Sequence, residues 1–152
     1  MHSNWYLTDE KMKDFKKIFI DTAPFIYFIE GNKSFSDKVE DFLSDCLIHE
    51  VPMITSVITY MEFCVLPERT KKTKIISNFK EVLSKLSIPL LKVDLSIAEY
   101  ASKLRAKYSF LKGLDALQLS IAIKNNCDTF LTNDKELSKI KEIKILILEN
   151  LK

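Results

Sequence analysis

Glycine and proline are scarce in this chain, with two and four residues among 152. Together with 47% apolar and 29% charged residues, that scarcity excludes collagen-like, low-complexity and disordered chains. Histidine occurs twice, as His2 and His49. The three cysteines, Cys46, Cys64 and Cys127, are far apart and form no Cys-x-x-Cys. A Cys/His zinc site, a paired-histidine acid–base centre and a disulfide scaffold are therefore excluded, and a reducing compartment is implied. No apolar run approaches the ~20 residues that span a bilayer. The segment Met1 to Lys17 is polar, carries Asp9, Glu10 and Asp14, and does not read as a secretion signal. The expectation is a cytoplasmic protein with no membrane association. Its net charge of +2, from 23 basic and 21 acidic residues, is too mild to mark a nucleic-acid binder. Any catalysis must then rest on carboxylates, lysines or hydroxyls.

At 17.6 kDa the chain has the length of one domain with a substantial core. Short apolar runs alternate with longer helical patterns. Strands are expected at 17–20, 52–56, 90–93, 129–131 and 144–148. The stripe Val39, Phe42, Leu43, Cys46 and Leu47 predicts a helix from Ser36. Further helices are expected from the end of the second strand to about Leu66, over 70–86, and from Asp94 or Ser96 to Tyr108. The run from Leu114 to Lys124 is apolar nearly all round and reads as a buried helix. Interleaved strands and helices imply right-handed crossovers and a mainly parallel five-stranded sheet, a three-layer α/β/α sandwich. No internal repeat or linker is visible. The expected organisation is an extension over 1–16 and one domain over 17–152, with Trp5-Tyr6-Leu7 available to pack on the domain or on a partner.

Ligands of open α/β sheets bind beyond the carboxyl ends of the strands. Asp21 directly follows the first strand, and Asp134 follows the fourth by two residues. Glu62 lies in the helix leaving the second strand, and Asp115 opens the buried helix. Plainer readings exist for three of them. Asp21 or Thr22 could cap a helix that has Pro24 in its first turn, Asp115 could complement a helix dipole, and Asn133-x-x-Glu136 beside Asp134 resembles a capping box. Glu62 is the sharpest anomaly. It falls within the stripe Ile58, Met61, Val65 and Leu66, where an ionised carboxylate is costly unless compensated. No Lys or Arg lies within a helical turn, so a hard cation bound through carboxylate oxygens is the better fit.

At these residues the sequence resembles the PIN-domain ribonucleases. The matching segments are Phe-Ile-Asp-Thr (Asp21), Ser-Val-Ile-Thr-Tyr-Met-Glu (Glu62), Leu-Asp-Ala-Leu-Gln-Leu-Ser-Ile-Ala (Asp115) and Leu-Thr-Asn-Asp-Lys-Glu-Leu (Asp134). Each is short; the ordered set, running from about Lys17 to the C-terminus, is specific, and the size is similar to that of VapC-type toxins of toxin–antitoxin pairs. The resemblance implies a metal-dependent endoribonuclease, with Asp21, Glu62, Asp115 and Asp134 holding Mg²⁺ or Mn²⁺ and acting as the catalytic set. It also implies supporting roles for Thr132 and Asn133, a homodimer, an RNA substrate and an antitoxin as partner. Leu114 stands where many relatives carry Pro, and Glu136 lies near the place of a further acid in some of them.

Phosphate contacts are expected from Arg69, Lys71, Lys72 and Lys74, and from Arg105 and Lys112 ahead of Asp115. The other reading of such cations is a solvated helix face. Cys46 and His49, three apart, invite a nucleophile pair, but Cys46 belongs to a buried stripe. Two rivals remain. A phospho-accepting receiver domain needs an acidic pair beside its acceptor, and Asp21 has no acidic neighbour. The other is a PIN-like module that binds RNA or protein without cutting.

Overall fold

The computed structural model describes residues 9–151, so the expectation for Trp5-Tyr6-Leu7 lies outside the described residues. Five strands, β1 (Ile18–Ile20), β2 (Met53–Ser56), β3 (Leu90–Leu91), β4 (Thr129–Thr132) and β5 (Lys144–Ile147), form one sheet in the order β3-β2-β1-β4-β5. Every pairing in it is parallel. Seven helices accompany it: α1 (Asp9–Lys13), α2 (Thr22–Glu30), α3 (Ser36–Ile48), α4 (Val57–Arg69), α5 (Thr73–Lys85), α6 (Leu95–Lys107) and α7 (Gly113–Lys124). None of the described helices is long and apolar enough to cross a membrane.

Right-handed crossovers explain the layering. The chain steps from β1 through β2 to β3 in one direction, placing α2 to α5 on one face. It then steps back from β3 to β4 and lays α6 and α7 on the other. The alternation of β1 matches: Ile18 and Ile20 enter the core beneath α2 to α5, while Phe19 enters the core beneath α6 and α7. Phe19 stacks on Phe130 of the neighbouring strand with ring centroids 5.0 Å apart. Met12 and Phe15, from the segment ahead of β1, are buried in the first of these cores, where Phe15 meets Phe42 edge-on.

The α/β/α expectation is met, and the differences are local. Helix α2 was foreshadowed only by a possible cap at Asp21 or Thr22, because Thr22 to Glu30 is apolar without a clear helical period. Pro24 fits its first turn, where no intrahelical N–H partner is needed. Helix α4 continues past Leu66 and through Pro67 to Arg69. Leu47, placed on the buried stripe of α3, is exposed at 51%. Only one glycine, Gly31, takes a left-handed backbone, at the end of α2. Elsewhere Glu50, Lys71, Ser87 and Asn126 take that conformation just after α3, α4, α5 and α7. At each, the next amide reaches back five residues into the helix, as Ile88 N–H does to the Leu83 carbonyl at 2.9 Å.

Candidate active site

Strand order reverses around β1, so the crevice expected in such sheets opens beyond the carboxyl ends of β1 and its neighbours. Asp21 leaves β1 there. Its amide still pairs with the Leu131 carbonyl of β4 at 2.9 Å, and its side chain caps α2 through the Thr22 amide at 2.8 Å. The capping reading of Asp21 is thus borne out. Asp21 Oδ1 also accepts from Gln118 Nε2 at 3.3 Å, and Oδ2 accepts from the Thr132 hydroxyl at 2.8 Å. Burial raises the Asp21 pKa above the ordinary carboxylate value and the charge of Glu62 adds to this, against the pull of those three donors.

A cleft of about 830 Å³ opens above this point, with Glu62, Asp115 and Asp134 on its walls. Asp115, in the first turn of α7, has its pKa pushed up to about 6. Burial is the largest cause, followed by the charges of Asp21, Asp134 and Glu62, with Lys112 pulling it down. The charges of the other three acids named from sequence thus all reach Asp115. Thr22 Oγ1 donates to Glu62 Oε1 at 2.7 Å. The Thr132 hydroxyl accepts the Asp134 amide at 3.1 Å while binding Asp21, so one side chain joins two of the acids. Asp134 caps the following 3₁₀ turn (Lys135–Lys139) through the Glu136 amide at 3.0 Å.

Several expectations are corrected. The stripe argument for Glu62 fails, because Met61, Val65 and Leu66 are 41–55% exposed and the buried side of α4 carries Ile58, Thr59, Phe63 and Cys64 instead. The Asn133–Glu136 capping box does not form: Asn133 Oδ1 accepts the Glu149 amide at 3.0 Å, and its Nδ2 faces the Tyr27 hydroxyl at 3.4 Å. The six cations divide. Arg105 and Lys112 line the cleft, the former steadied by donating from Nε to the Leu111 carbonyl at 3.1 Å. Arg69, Lys71, Lys72 and Lys74 lie at the α4–α5 connection, where Lys72 borders a different pocket with Leu66 and Ile75. Cys46 is fully buried, and burial with the charge of Asp45 pushes its thiol far up, which removes the nucleophile pair.

Sequence reasoning missed the buried polar layer under the acids. Ser56, Thr59 and Gln118 are each at most 1% exposed. Gln118 was visible as the one amide in an otherwise apolar stretch of α7, three residues after Asp115 and so on the same helix face. The exposed donors at the site are carboxylate oxygens, the set that suits a hard divalent cation. Their mutual repulsion, opposed at Asp115 by Lys112 alone, is what such a cation would relieve. Among the described residues no three of His, Cys, Asp or Glu draw close enough to form a ready-made chelating group. By donor chemistry and charge the residues fit a divalent ion, in an open arrangement.

Comparison with known proteins follows this geometry. The PIN domain family matches over residues 18–143. Among solved structures, the chain is similar to the VapBC2 assembly of Rickettsia felis, crystallised with a DNA fragment from its promoter, at a TM-score of 0.70 and 20% identity over 86% of this chain and 98% of that one. A toxin–antitoxin complex from Klebsiella pneumoniae gives 0.67 and 23% over 86% and 97%. VapC20 of Mycobacterium tuberculosis, a toxin that cleaves the sarcin–ricin loop, gives 0.59 and 14% over 84% and 98%. Likeness at these identities establishes the fold. The search of curated proteins finds no match.

Proposed function

The chain belongs to the PIN-domain family, and from that premise we propose that it is a divalent-metal-dependent endoribonuclease, the toxin of a toxin–antitoxin pair. One observation carries the reading. Acids from four separate segments gather at a single cleft, joined through Thr22 and Thr132, and the charges of the others raise the proton affinity of Asp115. Such an arrangement costs stability unless an ion is bound. In this reading Asp21, Glu62, Asp115 and Asp134 hold Mg²⁺ or Mn²⁺. The bound ion supplies an acidified water and neutralises charge at the scissile phosphate.

The remaining work falls to the chain's own groups. Asp21, bonded at both oxygens, is the fixed member, and Thr132 keeps it aligned with the Asp134 backbone. Asn133 supports the site indirectly, by holding the turn after β4 to Glu149. Arg105 and Lys112, which line the cleft together with the acids, would hold flanking phosphates of an RNA strand. Arg69, Lys71, Lys72 and Lys74 would contribute only along a longer strand. Val57, Met61 and Val65, exposed along one side of α4 beside Glu62, are an apolar surface that an antitoxin or a second copy in a homodimer would cover. The structural likeness to toxin–antitoxin complexes supports that partner, and a cytoplasmic location accords with it.

The test is incubation of structured and single-stranded RNA with purified protein in Mg²⁺, Mn²⁺ or EDTA, beside Asp115→Asn. Cleavage is expected only with metal and wild-type protein. Saturable Mn²⁺ binding with no cleavage of any RNA would instead identify a binding module of PIN fold. Metal-independent cleavage, or full activity of Asp115→Asn, would refute the assignment.

A further inference from the structure

The floor of the cleft is a closed set of hydrogen bonds with Gln118 at its centre. Its carboxamide orientation is dictated by neighbours. Ser56 caps α4 by accepting the amides of Ile58 and Thr59 at 3.1 and 3.3 Å, so its single proton is left to donate, and it donates to Gln118 Oε1. The amide nitrogen must then point the other way. There Nε2 donates to Asp21 Oδ1 at 3.3 Å and to Thr59 Oγ1 at 2.7 Å. Reversal would set the carbonyl oxygen against the Asp21 carboxylate and offer Ser56 a third donor, so one orientation is strongly preferred.

The consequence reaches all four acids. Gln118 lies three residues after Asp115 on α7, so anchoring it to Asp21 fixes the helix that carries Asp115 relative to β1. Through Thr59 the same amide binds α4, which carries Glu62. Thr22 Oγ1, bonded to Glu62, lies 3.4 Å from Thr59 Oγ1. Asp21 in turn reaches Asp134 through Thr132.

We propose that Gln118 is a positioning residue, whose buried carboxamide sets the spacing of Asp21, Glu62 and Asp115 so that together they capture a divalent ion. The inference rests on the reading of these acids as metal ligands. Side chains that orient metal ligands from behind typically control affinity by 10–100-fold. The Mn²⁺ dissociation constant of Gln118→Met is therefore expected to rise by about 10–100-fold. Cleavage lost by this variant should return largely in excess Mn²⁺, with KM for RNA unchanged at saturating ion, which a packing defect would not give.

The experiment is calorimetric titration of Mn²⁺ into wild type, Gln118→Met and Asp115→Asn. It is paired with ¹H–¹⁵N spectra of wild-type protein, in which the Gln118 side-chain NH₂ signals are followed as Mg²⁺ is added. Weak binding by Gln118→Met, with movement of the wild-type NH₂ signals, supports the proposal. Binding by Gln118→Met within twofold of wild type, while Asp115→Asn loses it, overturns the role of Gln118 and leaves the metal site standing. If Gln118→Met does not fold, the wild-type spectra decide: NH₂ signals unmoved by a saturating ion overturn it. If wild type binds no Mn²⁺, the site reading and this inference fall together.

Discussion

Replacing Asp115 by Asn should make the metal-free protein more stable while removing its activity. In the folded chain Asp115 holds its proton up to about pH 6, against 3.8 for an unconstrained aspartate. A group whose folded value is raised costs nothing below its unfolded value. Between about pH 4 and 6 the folded state holds the extra proton, so stability falls as pH rises, and above that the penalty is complete. Two units correspond to about 3 kcal/mol. Asp115 is half-buried, and solvent screening reduces this to about 1.5 kcal/mol. Asn also forgoes about 0.5 kcal/mol of favourable interaction with the amino end of α7. The net gain for Asp115→Asn at pH 7.5 in EDTA is then about 1 kcal/mol, or about 3 °C in Tm for a chain of this size. At pH 4 the gain should vanish. Saturating Mg²⁺ should reverse the order, because only wild type gains from binding it. Melting curves of both proteins at the two pH values, with and without metal, make the test. A variant no more stable than wild type at pH 7.5, or a gap that ignores pH, would show that the acids do not burden one another.

Other outcomes follow from the same geometry. Thr132→Val removes a buried hydroxyl that donates to Asp21 and accepts from Asp134, so urea unfolding should show a loss of about 1–3 kcal/mol, together with loss of cleavage. Arg105→Ala and Lys112→Ala should each weaken RNA binding across sequences and lower the slope of log affinity against log salt by about 1, whereas Lys71→Ala and Lys72→Ala should alter it less on short RNA. Equal slopes for both pairs would remove the cleft as the phosphate track. Ser87→Gly relieves a left-handed non-glycine residue at the end of α5 and should stabilise by about 0.5–1 kcal/mol in urea, with cleavage unchanged. A loss of stability there would mean that the flexibility gained in the unfolded chain outweighs the strain.

Strand and helix positions were largely legible because their signals are local. A short apolar run bounded by polar residues, as at Phe19 or Phe130, marks a buried strand, and the stripe Val39, Phe42, Leu43 and Cys46 marks a helix. Helix α2 was foreshadowed only by its cap, since its apolar side chains carry no clear period. Asp21 and Asp134 stood out by position, because a carboxylate just past a strand in such a sheet borders the crevice, whereas Glu62 was singled out by a stripe that packing does not bury. The proposal that the four together hold a metal ion came from family resemblance rather than from spacing.

Tertiary structure decided what periodicity cannot. A stripe on α4 says that Ile58, Met61 and Val65 are apolar, not that a neighbour covers them; packing covers Ile58 and leaves Met61 and Val65 in the open. Cations alike in sequence part company, Arg105 and Lys112 lining the cleft together with the acids and the Arg69 to Lys74 group lying elsewhere, because strand order and crossover hand determine which helix ends meet. Gln118 shows the limit most clearly. As a residue it is one amide in an apolar helix; its bonds to Ser56, Thr59 and Asp21 exist only because β1, β2 and α7 converge. Composition and order along the chain determined which chemistry was available and which layers would form. Bringing that chemistry to one point required the fold, since the groups involved are separated by dozens of residues and no local rule connects them.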